Sequence, residues 1–232
     1  EYNFQRWEKE YERAQYYKRT HCIYPSIDFY KTQRADSFGN KFYNMKGNNF
    51  SKTTYGGGNK TDLATTHIYQ RGATVGSLYG GSNNLGTVND AYVYLQKLSG
   101  KNPTVTNVFG GNNVNGSCNR THVSFEDGSA TNVYGGGNQV YTTETNVTVK
   151  NMVGVTSNIF GGGNEAGVGT SNVILNSTTG SNNINVTNIF GGRNNSGTVN
   201  TSNINILEDT HVGKINYTGS GFVYILNLGI ID

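Results

Sequence analysis

Short segments in which hydrophobic and polar residues alternate recur along the chain after residue 50. Such alternation predicts β-strands with one face turned towards a core. Six segments share the pattern, with the inward candidates Ile68, Val93, Val123, Val147, Val173 and Ile204. No segment beyond residue 50 shows the 3.6-residue period of a helix, so the pattern predicts an all-β repeat region.

A second landmark accompanies each of these strands. It is an aromatic residue followed directly by two glycines, with an asparagine four positions after the aromatic. The six copies are Tyr55, Gly56, Gly57 and Asn59; Tyr79, Gly80, Gly81 and Asn83; Phe109, Gly110, Gly111 and Asn113; Tyr134, Gly135, Gly136 and Asn138; Phe160, Gly161, Gly162 and Asn164; Phe190, Gly191, Gly192 and Asn194. Successive aromatics are 24, 30, 25, 26 and 30 residues apart, a period typical of stacked repeats.

The distances between the two landmarks favour a solenoid. From each motif aromatic to the next inward strand residue the chain counts 13 or 14 residues, whereas the return distance ranges from 11 to 17. In a solenoid, the segments of successive coils that stack on one another must contain nearly the same number of residues. Extra residues are accommodated in loops on one side. We therefore expect a parallel β-helix (β-solenoid) of about six to seven coils over residues 51–232, with an antiparallel sandwich as the structural alternative.

Each motif position has an expected role. The paired glycines permit either a positive φ or close backbone approach at a corner. The asparagines can form a hydrogen-bonded ladder from coil to coil. The aromatics form a second ladder, either in the core or along an outer groove. The variable position before each asparagine is expected to face solvent; it holds Gly58, Ser82, Asn112, Gly137, Gly163 and Arg193.

Residues 1–50 differ from the rest and are expected to form a separate leader. Phe4, Trp7 and Tyr11 fall on one face of a predicted short helix, which Pro25 would end. This segment holds nine Lys/Arg and six Asp/Glu, whereas residues 51–232 hold nine of each. We expect the apolar helix face to cap the first coil or to anchor the chain to a neighbouring subunit.

Composition narrows the functional classes. The net charge of +3 and the neutral repeat region give no electrostatic footprint for nucleic acid. No apolar run is long enough for membrane insertion. The two cysteines, Cys22 and Cys118, lack metal-ligand spacing and are interpreted as unrelated thiols, with a disulfide as the alternative.

The run Thr131-Asn132-Val133-Tyr134-Gly135-Gly136-Gly137-Asn138, followed by Thr145-Asn146-Val147-Thr148-Val149, resembles the glycine-rich repeats of bacterial cell-surface and adhesin-like β-helix proteins. It is also similar to β-helical fibre proteins of bacteriophages. The resemblance covers about residues 53–220. It implies a non-enzymatic structural or adhesive role at the cell surface, outside the cell or on a virion. The implied partners are other protein subunits, bound through the leader or the coil ends, and surface glycans.

Catalytic signals are sparse. Polysaccharide-cleaving β-helices need clustered acids, but Glu126-Asp127 and Glu208-Asp209 lie in separate repeats. His67 and His122 precede inward strand residues, so they are expected to share a surface face without binding a metal. We therefore expect neither an enzyme nor a cofactor. The alternative is a carbohydrate-binding or polysaccharide-degrading module that uses an exposed aromatic and Asn/Thr face.

Overall fold

The structure is a computed structural model that describes residues 34–35, 41–46, 49–57, 60, 62–72, 74–154, 156–177, 184–207, 210–216, 222–227 and 230–231. Within these ranges the chain forms strands, turns and bends. No helix there is long and apolar enough to cross a membrane. The predicted leader helix, with Phe4, Trp7 and Tyr11, lies outside the described residues.

The strands belong to two sheets. The first sheet contains nine strands, in the order β1 (Arg34–Ala35), β2 (Lys41–Lys46), β4 (Leu63–Arg71), β6 (Thr87–Gln96), β8 (Ser117–Phe125), β10 (Thr142–Val149), β12 (Val168–Leu175), β14 (Val199–Ile206) and β16 (Phe222–Asn227). The second sheet contains eight strands, in the order β3 (Asn49–Tyr55), β5 (Thr74–Tyr79), β7 (Thr104–Phe109), β9 (Ser129–Tyr134), β11 (Thr156–Phe160), β13 (Ile184–Phe190), β15 (Thr210–Asn216) and β17 (Ile230–Ile231).

From β2 onwards, neighbouring strands of each sheet pair in parallel, and the chain alternates between the two sheets as it advances along the solenoid. The outcome is an all-β parallel β-solenoid of about six turns, as the repeat pattern predicted. Among the strands in the described part of the chain, β1 and β2 form the one antiparallel pair, at the N-terminal edge of the first sheet. Strand β2, which belongs to the first sheet, lies before residue 50, and β3 of the second sheet begins at Asn49. The division into a leader and a repeat domain near that residue stays a prediction.

The aliphatic core lies between the two sheets. The predicted inward residues stack in register, with Val93 beside Val123 and Val147 beside Val173. All six inward candidates are buried, as predicted. Residues from the second sheet, including Leu78, Val108 and Ile159, complete the same cluster. A core dominated by valine, isoleucine and leucine, with Phe125 and Met152 among them, suits a chain with only 34% hydrophobic residues.

The extra residues of the longer repeats lie at one corner, where a strand of the first sheet passes into the second. Between β6 and β7 the chain forms a tight turn in which Leu98 and Lys101 pair antiparallel. Ser99 and Gly100 supply its positive φ angles of 49° and 82°. The connection between β4 and β5, in contrast, is only a few residues long. The return arc therefore absorbs the insertions, as the spacing predicted.

The glycines of the repeated motif permit close backbone approach. None of the described motif Gly-Gly pairs has a positive φ, so the left-handed alternative is wrong for them. A Cβ built on Gly135 would instead collide with the carbonyl oxygen of Gly161 on the next coil and lie 3.0 Å from Thr145 Cβ. Coils stacked at the spacing of paired strands leave no room for a side chain at this corner.

A column of buried hydroxyl groups crosses the interior to the same corner. Thr121 Oγ1 donates to the carbonyl oxygen of Gly135 at 2.6 Å, and Thr145 Oγ1 donates to that of Gly161 at 2.6 Å. The equivalent Thr66 hydroxyl donates to Gly80 at 2.7 Å. In these three coils the first-sheet strand is bonded to the corner that follows it in the chain, and the three hydroxyls have partners. On β6 the equivalent position holds Ala91, which has no hydroxyl.

This geometry predicts the effect of adding one methyl group at the corner. Gly135→Ala should lower the free energy of unfolding by about 1–3 kcal/mol, because a fixed backbone carbonyl must move. Gly154→Ala is the control, since no atom lies within 4 Å of its added Cβ and only the φ of 84° opposes the substitution. Urea unfolding followed by circular dichroism measures both. A loss at Gly135 no larger than that at Gly154 would contradict close approach.

Candidate functional site

The asparagines of the motif form a hydrogen-bonded ladder along the solenoid. Asn113 Nδ2 donates to Asn83 Oδ1 at 2.9 Å, and Asn138 Nδ2 donates to Asn113 Oδ1 at 2.9 Å. Asn164 continues the ladder to Asn138 at 2.8 Å, and Asn194 continues it to Asn164 at 2.9 Å. The predicted ladder is therefore present from Asn83 onwards. Asn59 lies outside the described residues.

Two further asparagine ladders run parallel to the first. On the second sheet, Asn132 donates to Asn107, Asn158 to Asn132 and Asn188 to Asn158, at 3.0, 2.8 and 3.0 Å. On the first sheet, the ladder contains Asn146, Asn172 and Asn203, with bonds of 3.0 and 2.7 Å. Each amide within a ladder donates to one neighbouring coil and accepts from the other, so the bonds run along the solenoid axis.

The motif aromatics form a continuous stack. Ring centroids from Tyr55 through Tyr79, Phe109, Tyr134 and Phe160 to Phe190 are separated by 4.9, 4.5, 4.5, 5.0 and 4.4 Å. The four middle rings are at most 8% exposed, so they do not line an open groove. They form a cluster of their own, separate from the aliphatic core. The rings thus occupy a second buried column at the corner, beside the asparagine ladder.

The expectation that the variable motif position faces solvent is wrong for several coils. Ser82, Asn112, Gly137 and Gly163 are buried, and Arg193 is partly buried. Asn112 Oδ1 accepts a hydrogen bond from the Ser82 amide at 2.8 Å. Its Nδ2 contacts the carbonyl oxygens of Gly86, Asn115 and Ser117 at 3.1–3.2 Å. The corner folds over this position, and the residue there supports the turn.

The most distinctive surface is a cluster of rings on the outside of the first sheet, which we call the outer aromatic face. Tyr92 is sandwiched between His67 and His122, with centroids 4.7 and 4.4 Å apart. Tyr69 stacks on Tyr94 at 4.9 Å in the neighbouring column. The two histidines therefore share a face, as predicted, but a tyrosine separates them. All five side chains are partly exposed.

Two rows of polar and charged side chains flank the outer aromatic face, and we call them the first and second rims. The first rim contains Thr65, Asp90, Arg120 and Glu144. The second rim contains Arg71, Gln96, Glu126 and Lys150. Arg120 binds both oxygens of Asp90 at 2.7 and 3.1 Å. Along the second rim, Gln96 links Arg71 at 2.7 Å to Glu126 at 2.8 Å, so both rims are ordered by contacts between coils.

Burial sets the protonation of the two histidines. It lowers the pKa of His67 below the ordinary imidazole value, and the nearby His122 lowers it further. Burial also lowers the pKa of His122, as does Arg120, while Asp90 acts in the opposite direction. His122 Nε2 lies 3.9 Å from Asp90 Oδ1. Both imidazoles are therefore neutral near pH 7, and the face carries its charges at the rims.

The structure gathers no metal-binding cluster in the part of the chain it describes. No group of three or more His, Cys, Asp or Glu side chains is arranged there to hold a metal ion. Glu126 accepts a hydrogen bond from Gln96, and Asp127 accepts one from Asn151 at 2.9 Å. Cys118 is a buried free thiol whose pKa burial raises to about 12. Cys22, Glu208 and Asp209 lie outside the described residues.

Comparisons of the chain with protein-family models, with curated proteins and with solved structures found no match. The resemblance to surface repeats therefore rests on the motif alone. The geometry itself defines a β-solenoid with asparagine ladders and one outer face rich in rings.

The ladder predicts a position-specific role for its amides. Asn138→Leu should lower the free energy of unfolding by about 1–3 kcal/mol, because it removes the ladder partner of Asn113 Oδ1 and of Asn164 Nδ2. The matched control is Asn200→Leu, at an exposed strand position. Thermal unfolding of both variants measures the difference, and equal losses would show that the ladder amides are ordinary solvated turn residues.

Proposed function

We propose that this chain is a non-enzymatic structural or adhesive β-solenoid, a rod segment of a surface filament, an adhesin or a phage fibre. The supporting observation is the axial ladder from Asn83 to Asn194, which bonds five successive coils to one another through side chains as well as backbone. A rod that is pulled or bent benefits from having both sets of bonds. Each coil is then held to its neighbours by many weak hydrogen bonds at once.

The proposed location is outside the cell, on a cell surface or on a virion, and the proposed partners are other protein subunits. The leader would cap the first coil or dock to a neighbour through Phe4, Trp7 and Tyr11. Support comes from the general behaviour of stacked strands, whose terminal edges pair with another chain unless they are covered.

Electron microscopy of the full chain tests this proposal. We expect rods or end-to-end filaments whose coils repeat at about 4.8 Å along the axis. A variant with Phe4→Ser, Trp7→Ser and Tyr11→Ser should fold but lose end-to-end assembly or expose an aggregating edge. Assembly identical to that of the native chain would mean that the leader is neither cap nor anchor.

The alternative is a carbohydrate-binding or polysaccharide-degrading module, and the outer aromatic face is the observation that favours it. Its rings stand one above another, so their edges and hydroxyl groups point outwards while most ring faces are covered by neighbours. Sugar-binding aromatics usually offer an open ring face, and this geometry therefore ranks the alternative second. If the chain stays as single, unassembled solenoids and binds to a glycan array, the carbohydrate-binding module becomes the better-supported function.

A further inference from the structure

We propose that the outer aromatic face and its two rims dock a second copy of this chain, so that two solenoids lie side by side and point in the same direction. The inference concerns the side of the solenoid rather than its ends, and it does not depend on the proposed function. It follows from the spacing of four columns of side chains and from the order of charges along the rims.

The four columns are evenly spaced across the first sheet. On β4 they are represented by Thr65, His67, Tyr69 and Arg71, each two residues from the next. Strands β6, β8 and β10 stack on β4 in register, so the columns run straight along the axis. A two-fold axis parallel to the solenoid, midway between the two ring columns, exchanges the rings with each other and the first rim with the second.

In this arrangement each strand lies opposite its own copy, and the charges are complementary. Arg120 on β8 faces Glu126 of the second copy, and Glu144 on β10 faces Lys150 of the second copy. Symmetry repeats both pairs, which gives four oppositely charged contacts. On β4 and β6 a charged residue faces an uncharged one: Arg71 faces Thr65 of the second copy, and Asp90 faces Gln96 of the second copy. No like charges meet, and complementary potentials of this kind select partner and orientation.

Antiparallel pairs fit less well. An antiparallel pair has its two-fold axis perpendicular to the solenoid axis, so each rim faces the same rim of the second copy. If this axis passes through β6, Asp90 faces Asp90 of the second copy. Centring the pair on β8 places Arg120 against Arg120 and Glu126 against Glu126. An antiparallel pair centred between β8 and β10 has complementary charges, but it moves the rings onto the asparagine column of Asn146 and Asn172. Of the four arrangements, the parallel pair is the one in which rings face rings and each charged contact joins opposite charges.

The size and composition of the face suit an interface between two copies. Together with the asparagine column that continues it over β12 and β14, the face spans roughly 20 Å from Thr65 to Arg71 and roughly 24 Å from β4 to β14. Two copies in contact over this whole surface cover roughly 1,000 Å² in total, the lower limit for a specific interface. Tyrosines at the centre and charges at the edge are the usual composition of such surfaces. The rims are held in place before binding, because Arg120 and Gln96 are already bonded to neighbouring coils.

A charge-swap experiment on the full chain tests the proposal. Sedimentation equilibrium should show the native 25.2 kDa chain in equilibrium with a dimer. Arg120→Glu alone and Glu126→Arg alone should each raise the dissociation constant about tenfold or more, since each turns two attractive contacts into repulsive ones. An equimolar mixture of the two variants should associate again, because the carboxylates of one variant then face the guanidinium groups of the other.

Two further variants keep the test specific. Lys214→Glu reverses a charge at an exposed position on β15 of the second sheet and should leave the dissociation constant unchanged. Tyr92→Ala should weaken the dimer, with circular dichroism as the check that the coils remain folded. A monomeric native chain, a dimer that Arg120→Glu does not affect, or failure of the mixture to associate would each overturn the proposal. Binding of glycans by a monomeric chain through Tyr92 would also overturn it.

Discussion

The structure depends on the register in which equivalent residues of successive coils lie directly beside one another. Backbone pairing alone would tolerate a slip, but a slip of one residue would turn every inward side chain outwards. The asparagine ladders add a second constraint, since Asn138 Nδ2 reaches Asn113 Oδ1 only when the coils are aligned. The corner glycines make the alignment possible, because a side chain at Gly135 would collide with the next coil.

This register also determines the surface. Whatever residue occupies one strand position meets the residue at the same position on the next coil, so chemically similar residues become columns. At the corner the result is a buried aromatic stack beside an amide ladder. On the first sheet it is a central array of rings, continued by Asn146, Asn172 and Asn203, with charged rims on both sides. A solenoid with such columns has distinct faces, and each face is a surface that a partner can recognise along its length.

Much of this architecture could be predicted from periodicity. The alternation around Val93 and Val123 located the inward face, and the near-constant spacing from Phe109 to Val123 and from Tyr134 to Val147 located the corners. Periodicity did not reveal that the corner folds over the variable motif position, because the burial of Asn112 arises from hydrogen bonds to three carbonyl groups of its own turn and the neighbouring coil. The same alternation could have predicted that the residues of the outer aromatic face lie on one outer surface, because His67 and Tyr69 flank the inward Ile68, and Tyr92 and Tyr94 flank Val93. Its stacking required the register between strands.

The exchange of side-chain amide protons tests most directly the claim that axial ladders hold the coils together. In hydrogen exchange followed by NMR, the Nδ2 protons of Asn138 and Asn164 donate to neighbouring coils and should exchange slowly. The Nδ2 protons of the exposed Asn200 provide the reference for fast exchange. We expect clear protection of the two ladder amides under native conditions. Exchange of all three at the same fast rate would contradict it.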